Sequence, residues 1–197
     1  MNVGEYLLFT RGLNSFQRNA VYAHMQLARG VYVVQEEYQK LSREDKYLLR
    51  CAALGIEGRP LIGASAAALW GMPVIVHKRE QVYIIGTGRP RAGVCQTRLK
   101  RNDLRTTTVC GFEISLTSPA LTVIDIARWE GLAQAVRCGD FAVASQLATK
   151  DEILYALAQR ARTAGIDTAR TAVRLINNLS ESPRESDVKV NLFLNGF

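Results

Sequence analysis

The sequence predicts an α+β protein with a small N-terminal arm, a mixed antiparallel sheet and a C-terminal helical layer. Three observations support this class. Helix-like and strand-like stretches alternate near the N-terminus, and β-branched residues dominate residues 81–116. Helical apolar periodicity broken by short turns covers the residues that follow. At 197 residues the chain has the length for one domain, or one domain with a small appendage, and a substantial core.

The N-terminal arm is predicted to combine a helix with a hairpin. Residues 15–24 have a helical pattern with Ser15 as the cap and Phe16 facing inward. Gly30 then separates two β-prone stretches, and residues 31–34 are strongly strand-like. A helix followed by a glycine-containing hairpin is typical of the end of a winged helix, although a plain helix–strand connection explains the same pattern. Both explanations stay open, and the arm is predicted to be either a reduced winged-helix-like segment or a plain helix–strand connection.

Two further helices are predicted before the strands. Ser42 caps the first, and Asp45 completes a capping box. The second lies in LIGASAAALWGMP, with Trp70 as its large anchor and Gly71 as its C-terminal cap. Ser65 in this stretch has no histidine or lysine at a motif distance, which favours a capping or packing role over a nucleophilic one.

The strand-like region spans residues 81–116 and is interrupted by glycine-rich residues 86–93. This interruption, which contains G-T-G-R-P-R, lacks the Lys-Ser/Thr end of a P-loop, and no helix signal follows it. It is therefore predicted to be a basic hairpin tip. Alternation in the next strand places Arg98 and Lys100 on the same face, so the sheet is expected to bury one face and present a cationic one.

Four helices are predicted after this region, and short turns between them suggest an antiparallel layer. They begin at Ser118, Leu132, Thr149, and Asp167 or Thr168. Asp125 interrupts the apolar run of the first helix. We interpret it as a buried carboxylate that caps or pairs with an arginine rather than as a catalytic residue, because no second acid with a lysine at nuclease spacing is evident around it.

The C-terminal residues contain a complete helix signal. Ser182 is a predicted cap, and Glu185 occupies the capping-box position. An apolar stripe is formed by Val188, Leu192 and Phe193. Such a helix either docks on the rest of the chain or begins another domain. We expect the stripe to be a partner interface that forms a homodimer, because a helix that evolved to enter another domain should find no prepared site on its own chain.

Positive charge is concentrated in one part of the sequence. The net charge is +7, and residues 78–105 contain eight basic residues against two acidic ones, an excess of six. Lysine and arginine at a solvated strand edge explain this bias by discouraging edge-to-edge pairing. An electrostatic footprint for a polyanion or an acidic partner explains it equally well.

Other composition features exclude several classes of protein. No apolar run approaches the roughly 20 residues of a spanning helix, and the N-terminus resembles neither a signal peptide nor an anchor. The cysteines, Cys51, Cys95, Cys110 and Cys138, lie far apart without a C-x-x-C motif. We therefore expect reduced thiols in core or strand positions, a cytoplasmic location, no metal site and no cofactor.

Taken in order, several motifs resemble a known family. They are ARGVYVV, SAAALWGMP, the cationic strands, LTSPALTVIDIAR and ESPRESDVKV. Together they resemble actinobacterial members of the AbiEi-type antitoxin group. The resemblance implies a winged-helix-like segment at 1–36 and an antitoxin-like α+β domain at 37–180. Residues 181–197 would be the stub of the endonuclease-like domain, of the very-short-patch-repair type, that longer relatives carry.

The resemblance implies a non-enzymatic antitoxin or transcription regulator of a toxin–antitoxin system that binds DNA and opposes a nucleotidyltransferase toxin. The predicted nucleic-acid contacts are Arg11, Arg18, Arg29, Arg89, Arg91, Arg98, Lys100 and Arg101. Glu185 matches the first acidic residue of the nuclease-like domain, but one glutamate cannot hold the Mg²⁺ of a nuclease, so no cleavage is expected. Two alternatives stay open: a prophage- or defence-derived protein-interaction module, and a decayed member of the endonuclease-like family.

Overall fold

The computed structural model describes residues 1–75, 81–88, 91–98, 104–180 and 182–197. It confirms the α+β class, with small sheets and a helical layer. The chain forms two compact units. Unit 1 is Met1–Leu61 with Val76–Leu116, and unit 2 is Ile62–Ile75 with Thr117–Phe197. The boundaries predicted from the sequence, after residues 36 and 180, do not coincide with this division and stay predictions.

Unit 1 combines helices with short strands. Its α-helices are α1 (Ser15–Tyr22), α2 (Gln35–Lys40) and α3 (Arg43–Ile56), and a short 3₁₀ helix (Val3–Glu5) precedes them. Its strands are β1 (Leu7–Phe9), β2 (Met25–Ala28), β3 (Val31–Val33), β4 (Val82–Ile85), β5 (Val94–Thr97), β6 (Leu104–Val109) and β7 (Phe112–Thr117), which ends at the unit boundary. They form sheets with the orders β1-β3-β2, β4-β5 and β6-β7. Leu61 makes bridges to Ile84 and Leu116 and so links the second sheet to the third.

The predicted N-terminal hairpin is present, but the predicted helix cap and helix face are wrong. Gly30 has a φ of +77°, a left-handed conformation that glycine adopts without strain, between antiparallel β2 and β3. The cap of α1 is Asn14, which accepts a hydrogen bond from the Gln17 backbone N–H, rather than Ser15. Phe16 is 86% exposed, because α1 buries none of its residues. The winged-helix interpretation stays a prediction.

The core of unit 1 is built around α3. Ser42 caps this helix as predicted, accepting from the Asp45 backbone N–H at 3.0 Å. Leu49 and Cys51 on its inner side are fully buried. A Cβ atom on Gly55 would lie 2.5 Å from Cγ2 of Ile114, so the absence of a side chain there allows α3 to approach β7 closely.

The prediction of a basic hairpin tip between β4 and β5 is wrong. These strands are parallel, with Val82 opposite Val94 and Ile85 opposite Thr97, whereas a hairpin joins antiparallel strands. β-branched composition indicates that strands form, but it carries no information about their direction. The predicted alternation is also absent, since every residue of β5 is half-buried. Lys100 lies outside the described residues.

Unit 2 is helical. Its helices are α4 (Ala64–Leu69), α5 (Pro119–Trp129), α6 (Leu132–Ala144), α7 (Lys150–Gln159), α8 (Ile166–Leu175) and α9 (Pro183–Leu194). The predicted caps Ser118, Thr149 and Ser182 are confirmed, each accepting from a backbone N–H three residues later. The predicted start of α8 at Asp167 or Thr168 is wrong. The helix begins at Ile166, directly after Gly165, whose backbone is left-handed.

Helix α5 lies at the centre of unit 2 and packs against α4, α6, α7 and α8. Residues 120–127 are all buried, which explains why polar groups on this helix need partners. Asp125 is fully buried and pairs with Arg128 Nη1 at 2.8 Å, as its predicted role required. Trp70 donates its indole N–H to the Thr117 carbonyl at 2.9 Å, consistent with an anchor. In the described parts of both units, no helix is both long and apolar enough to span a bilayer.

Candidate nucleic-acid interface

The net charge of the protein lies entirely in unit 1. The ranges that form unit 1 contain sixteen lysine and arginine residues and nine aspartate and glutamate residues, a difference of +7. Unit 2 contains nine of each, a difference of zero. Since long-range electrostatic attraction depends on summed charge, unit 1 is the part of the chain with a net positive potential.

Several arginines of unit 1 are available for binding. Among the described residues of unit 1, five exposed arginines make no ion pair with a carboxylate. They are Arg11, Arg18, Arg29, Arg98 and Arg105. The first four belong to the predicted set of nucleic-acid contacts, and Arg105 was not in that set. Predicted contacts Arg89, Lys100 and Arg101 lie outside the described residues.

Arg91 differs from these arginines because it contacts Glu57. Its Nη1 lies 2.9 Å from Glu57 Oε2, and Arg59 Nε lies 3.7 Å from the other carboxylate oxygen. The backbone N–H of Arg29 donates to the same carboxylate at 3.2 Å. Burial by itself would raise the pKa of Glu57, but these hydrogen bonds and positive charges outweigh it and lower that pKa. The negative charge of Glu57 is therefore partly offset by the two arginines. The same carboxylate anchors the β2–β3 turn through the Arg29 backbone.

A small pocket brings two of the predicted arginines together with two aromatic rings. Its volume is about 190 Å³. It is lined by Phe9, Thr10, Arg11, Arg29, Gly30, Val31, Ile56 and Phe112. The ring centroids of Phe9 and Phe112 are 4.9 Å apart, and Arg11 Cζ lies 5.8 Å from the Phe112 centroid. We call this site the Phe112 pocket.

Sequence reasoning missed the aromatic part of this site. Phe9 and Phe112 are separated by more than half of the chain, and no local pattern indicates that β1 and β7 approach each other. The available signal was the period-2 alternation of β7, which places Phe112 on the same side as buried Ile114 and Leu116.

The C-terminal helix α9 presents two different faces. Ser186 and Val190 on one face are 1% and 2% exposed, and α9 packs there against α6. The predicted interface residues Val188, Leu192 and Phe193 are 57%, 50% and 44% exposed. Of the two arrangements that the sequence allowed, the structure therefore has the helix docked on its own chain. The argument that it would find no prepared site there is wrong.

Asp140 on α6 forms that prepared site. It is 2% exposed, and its Oδ2 accepts hydrogen bonds from Ser186 Oγ and Lys189 Nζ, both at 2.6 Å. Ser180 Oγ donates to the same oxygen at 2.9 Å, and the Asn177 backbone N–H donates to Oδ1 at 2.8 Å. The sequence signal was a charged residue on the buried face of α6, but its partners lie 37 to 49 residues away.

The exposed face of α9 borders an apolar groove of about 550 Å³. The groove is lined by Leu175, Arg184, Glu185, Val188, Lys189, Leu192, Phe193 and Phe197. Glu185, which matches an acidic residue of the nuclease-like domain, takes part in the cap of α9, accepting from Ser182 Oγ at 2.9 Å. This position gives it a structural role.

The cysteines lie apart from one another in the described part of the chain. The described ranges contain no group of three or more His, Cys, Asp or Glu residues that could hold a metal ion. All four cysteines are free. Cys51 and Cys138 are buried in helices, Cys95 lies in β5, and Cys110 is exposed in a turn. Burial raises the pKa of the Cys138 thiol to about 12, so this thiol stays protonated and unreactive.

Comparisons with protein families, curated proteins and solved structures give no match to this chain. The resemblance to the AbiEi-type antitoxin group therefore stays a prediction from sequence motifs.

Proposed function

We propose that this protein is a non-enzymatic regulatory protein of the antitoxin type that binds DNA through unit 1. The observation that supports this proposal is the location of the net charge of +7, all of which lies in the ranges of unit 1. A surface of this kind attracts nucleic acid and releases counterions from it on binding.

The exposed arginines supply the contacts. A guanidinium group donates charge-assisted and often bidentate hydrogen bonds to phosphate oxygens. Arg11 and Arg29 meet at the Phe112 pocket, and among the described residues neither is neutralised by a carboxylate. Contacts to phosphates position a protein on DNA without reading its sequence, so the binding is expected to be weak, salt-sensitive and tolerant of sequence.

Two partners accompany this function. A second copy of the chain is proposed to pack on the exposed face of α9, because unit 2 has nine basic and nine acidic residues and brings no net repulsion to such a contact. Two copies of unit 1, by contrast, would repel each other, because each carries a net charge of +7. The family resemblance adds a nucleotidyltransferase toxin as the protein that the chain would oppose, in the cytoplasm.

The proposal is tested by reversing charges in one unit at a time. The double variant Arg11→Glu/Arg29→Glu and the control Arg162→Glu/Arg174→Glu change the net charge equally, and all four side chains are exposed. In fluorescence anisotropy with a labelled duplex at low salt, we expect the first variant to lose about tenfold or more in affinity and the control to lose less than about twofold. Equal losses in the two variants, or no binding by the unmodified protein, would overturn the proposal.

The non-enzymatic part of the proposal has its own measurement. Glu185 takes part in a helix cap, and we expect the protein to leave labelled DNA and RNA intact with Mg²⁺ or Mn²⁺. Metal-dependent nicking that is lost in Glu185→Ala would contradict this expectation.

A further inference from the structure

We propose that the Phe112 pocket binds one unpaired nucleotide, with its base against the Phe112 ring and its phosphate against Arg11 and Arg29. This inference rests on the proposed nucleic-acid binding of unit 1 and specifies the form of ligand that the pocket takes. It predicts a preference for single strands or frayed ends at this site.

The aromatic wall of the pocket is suited to a base. Phe9 and Phe112 are half-buried, their centroids lie 4.9 Å apart, and their planes are tilted by 43°. Each ring therefore supports the other while part of its surface stays accessible. Aromatic side chains of this kind bind any base through its π-face, whatever the sequence.

Arg11 supplies the opposite wall. Its Cζ lies 5.8 Å from the Phe112 centroid, on one face of the ring. A base stacked between them needs about 3.5 Å on each side, or about 7 Å in total. Arg11 must therefore move outward by about 1 Å. This movement is feasible because the side chain is exposed and, in the described structure, is held by no ion pair.

Arg29 supplies the second cation from a fixed turn. The Arg29 backbone N–H is anchored by Glu57 at 3.2 Å, which leaves the exposed guanidinium group free to turn toward a ligand. Glu57 repels a phosphate only weakly, because Arg91 contacts it at 2.9 Å. The next residue, Gly30, has no side chain to crowd the pocket. A Cβ there would lie 3.1 Å from Thr10 Oγ1, closer than an ordinary van der Waals contact.

The size of the pocket selects against duplex DNA. Its volume of about 190 Å³ is below the roughly 300–1,000 Å³ of sites for drug-sized ligands. This is the scale of one base rather than of a base pair. A base within a duplex must be flipped out before it enters such a pocket, which costs a few kcal/mol, whereas an unpaired base is already accessible.

The test compares two ligands of equal charge on the full chain. One is a hexamer of thymidylate, and the other is a fully abasic hexamer with the same phosphates. By titration calorimetry or anisotropy competition, we expect the thymidylate hexamer to bind about tenfold more tightly, the effect of one stacked base. Phe112→Leu should reduce this ratio to less than about twofold. The control Phe16→Leu should preserve the ratio, because Phe16 is 86% exposed and lies outside the pocket.

The outcomes separate this inference from the proposed function. Equal affinity of the unmodified protein for the two hexamers, with salt-dependent duplex binding retained, overturns the nucleotide pocket alone. Failure to bind the hexamers and the duplex at low salt overturns the proposed function and this inference together. The comparison uses the unmodified protein, so it decides the matter even if Phe112→Leu does not fold.

Discussion

Lys189 Nζ donates a hydrogen bond to Asp140 Oδ2 at 2.6 Å, and this ion pair joins α9 to α6. The carboxylate is 2% exposed, so its charge requires partners. These polar contacts lie on the inner face of α9, where Val190 is also buried, whereas Val188, Leu192 and Phe193 lie on its outer face.

Asp140→Ala should strongly destabilise unit 2. The change leaves the ammonium group of Lys189 and the buried hydroxyl of Ser186 without their acceptor, and we expect a loss of about 3–5 kcal/mol in the free energy of unfolding. Urea denaturation measures it. In the control, Asp167→Ala removes a carboxylate whose side chain is 90% exposed and pairs with Arg170, and it should cost less than about 1 kcal/mol. Similar losses in both variants would show that the contacts of Asp140 do not hold α9 on α6, which Arg137 and Asp187 also join by an ion pair.

Glu57 should stabilise the protein only while it is ionised. Its pKa is lowered in the folded state, so the stabilisation is present above the pKa of the unfolded chain and is lost as pH falls through the folded pKa. Glu57→Gln should therefore cost on the order of 1 kcal/mol at pH 7 and progressively less toward pH 3. Unfolding free energies measured across this range test the sign. A difference between variant and unmodified protein that grows at acid pH would be inconsistent with this assignment.

A comparison of alanine substitutions at Gly165 and Gly12 distinguishes the cost of a steric clash from the cost of backbone strain. Both have left-handed backbone, with φ of +78° and +81°. A Cβ on Gly165 would lie 2.7 Å from the Arg128 carbonyl oxygen, whereas one on Gly12 meets nothing within 4 Å. We expect Gly12→Ala to cost about 1 kcal/mol and Gly165→Ala at least about 2 kcal/mol more. Thermal unfolding of the two variants gives the comparison, and equal costs would argue against the clash.

Phe193→Asp should convert a dimer into a folded monomer. Val188, Leu192 and Phe193 are about half-exposed, so covering them with a second copy contributes roughly half of the 1.5–3 kcal/mol that complete burial gives each side chain. A charge in that contact opposes it. Sedimentation velocity at tens of micromolar measures the state, with Phe16→Asp as the control, since Phe16 is 86% exposed in unit 1. A monomeric unmodified protein, or a Phe193→Asp variant that unfolds, rules out this interface.

Local features of the fold were predictable from the sequence. The caps Ser42, Ser118, Thr149 and Ser182 are confirmed because each hydrogen bond joins residues three positions apart. Residue type and spacing are sufficient to specify such contacts.

Features that depend on distant residues were not predictable. The parallel pairing of β4 with β5 and the exposure of Phe16 depend on which surfaces come together, and periodicity within one element does not contain that information. At the candidate site, Arg11 and Arg29 were predicted as basic residues of the winged-helix-like arm. Their aromatic neighbour Phe112 was missed because it approaches them only in the folded unit.

The salt dependence of duplex binding by the unmodified protein tests the central claim most directly. Each phosphate contact lowers the logarithm of affinity by about 0.9 for a tenfold rise in salt. If two to five of the exposed arginines contact phosphates, the slope of log affinity against log salt concentration lies between about −2 and −4.5. Reversing the charges of Arg98, Lys100 and Arg101 together should flatten this slope. A slope near zero, or no measurable binding at about 50 mM salt, would contradict the claim that unit 1 binds nucleic acid.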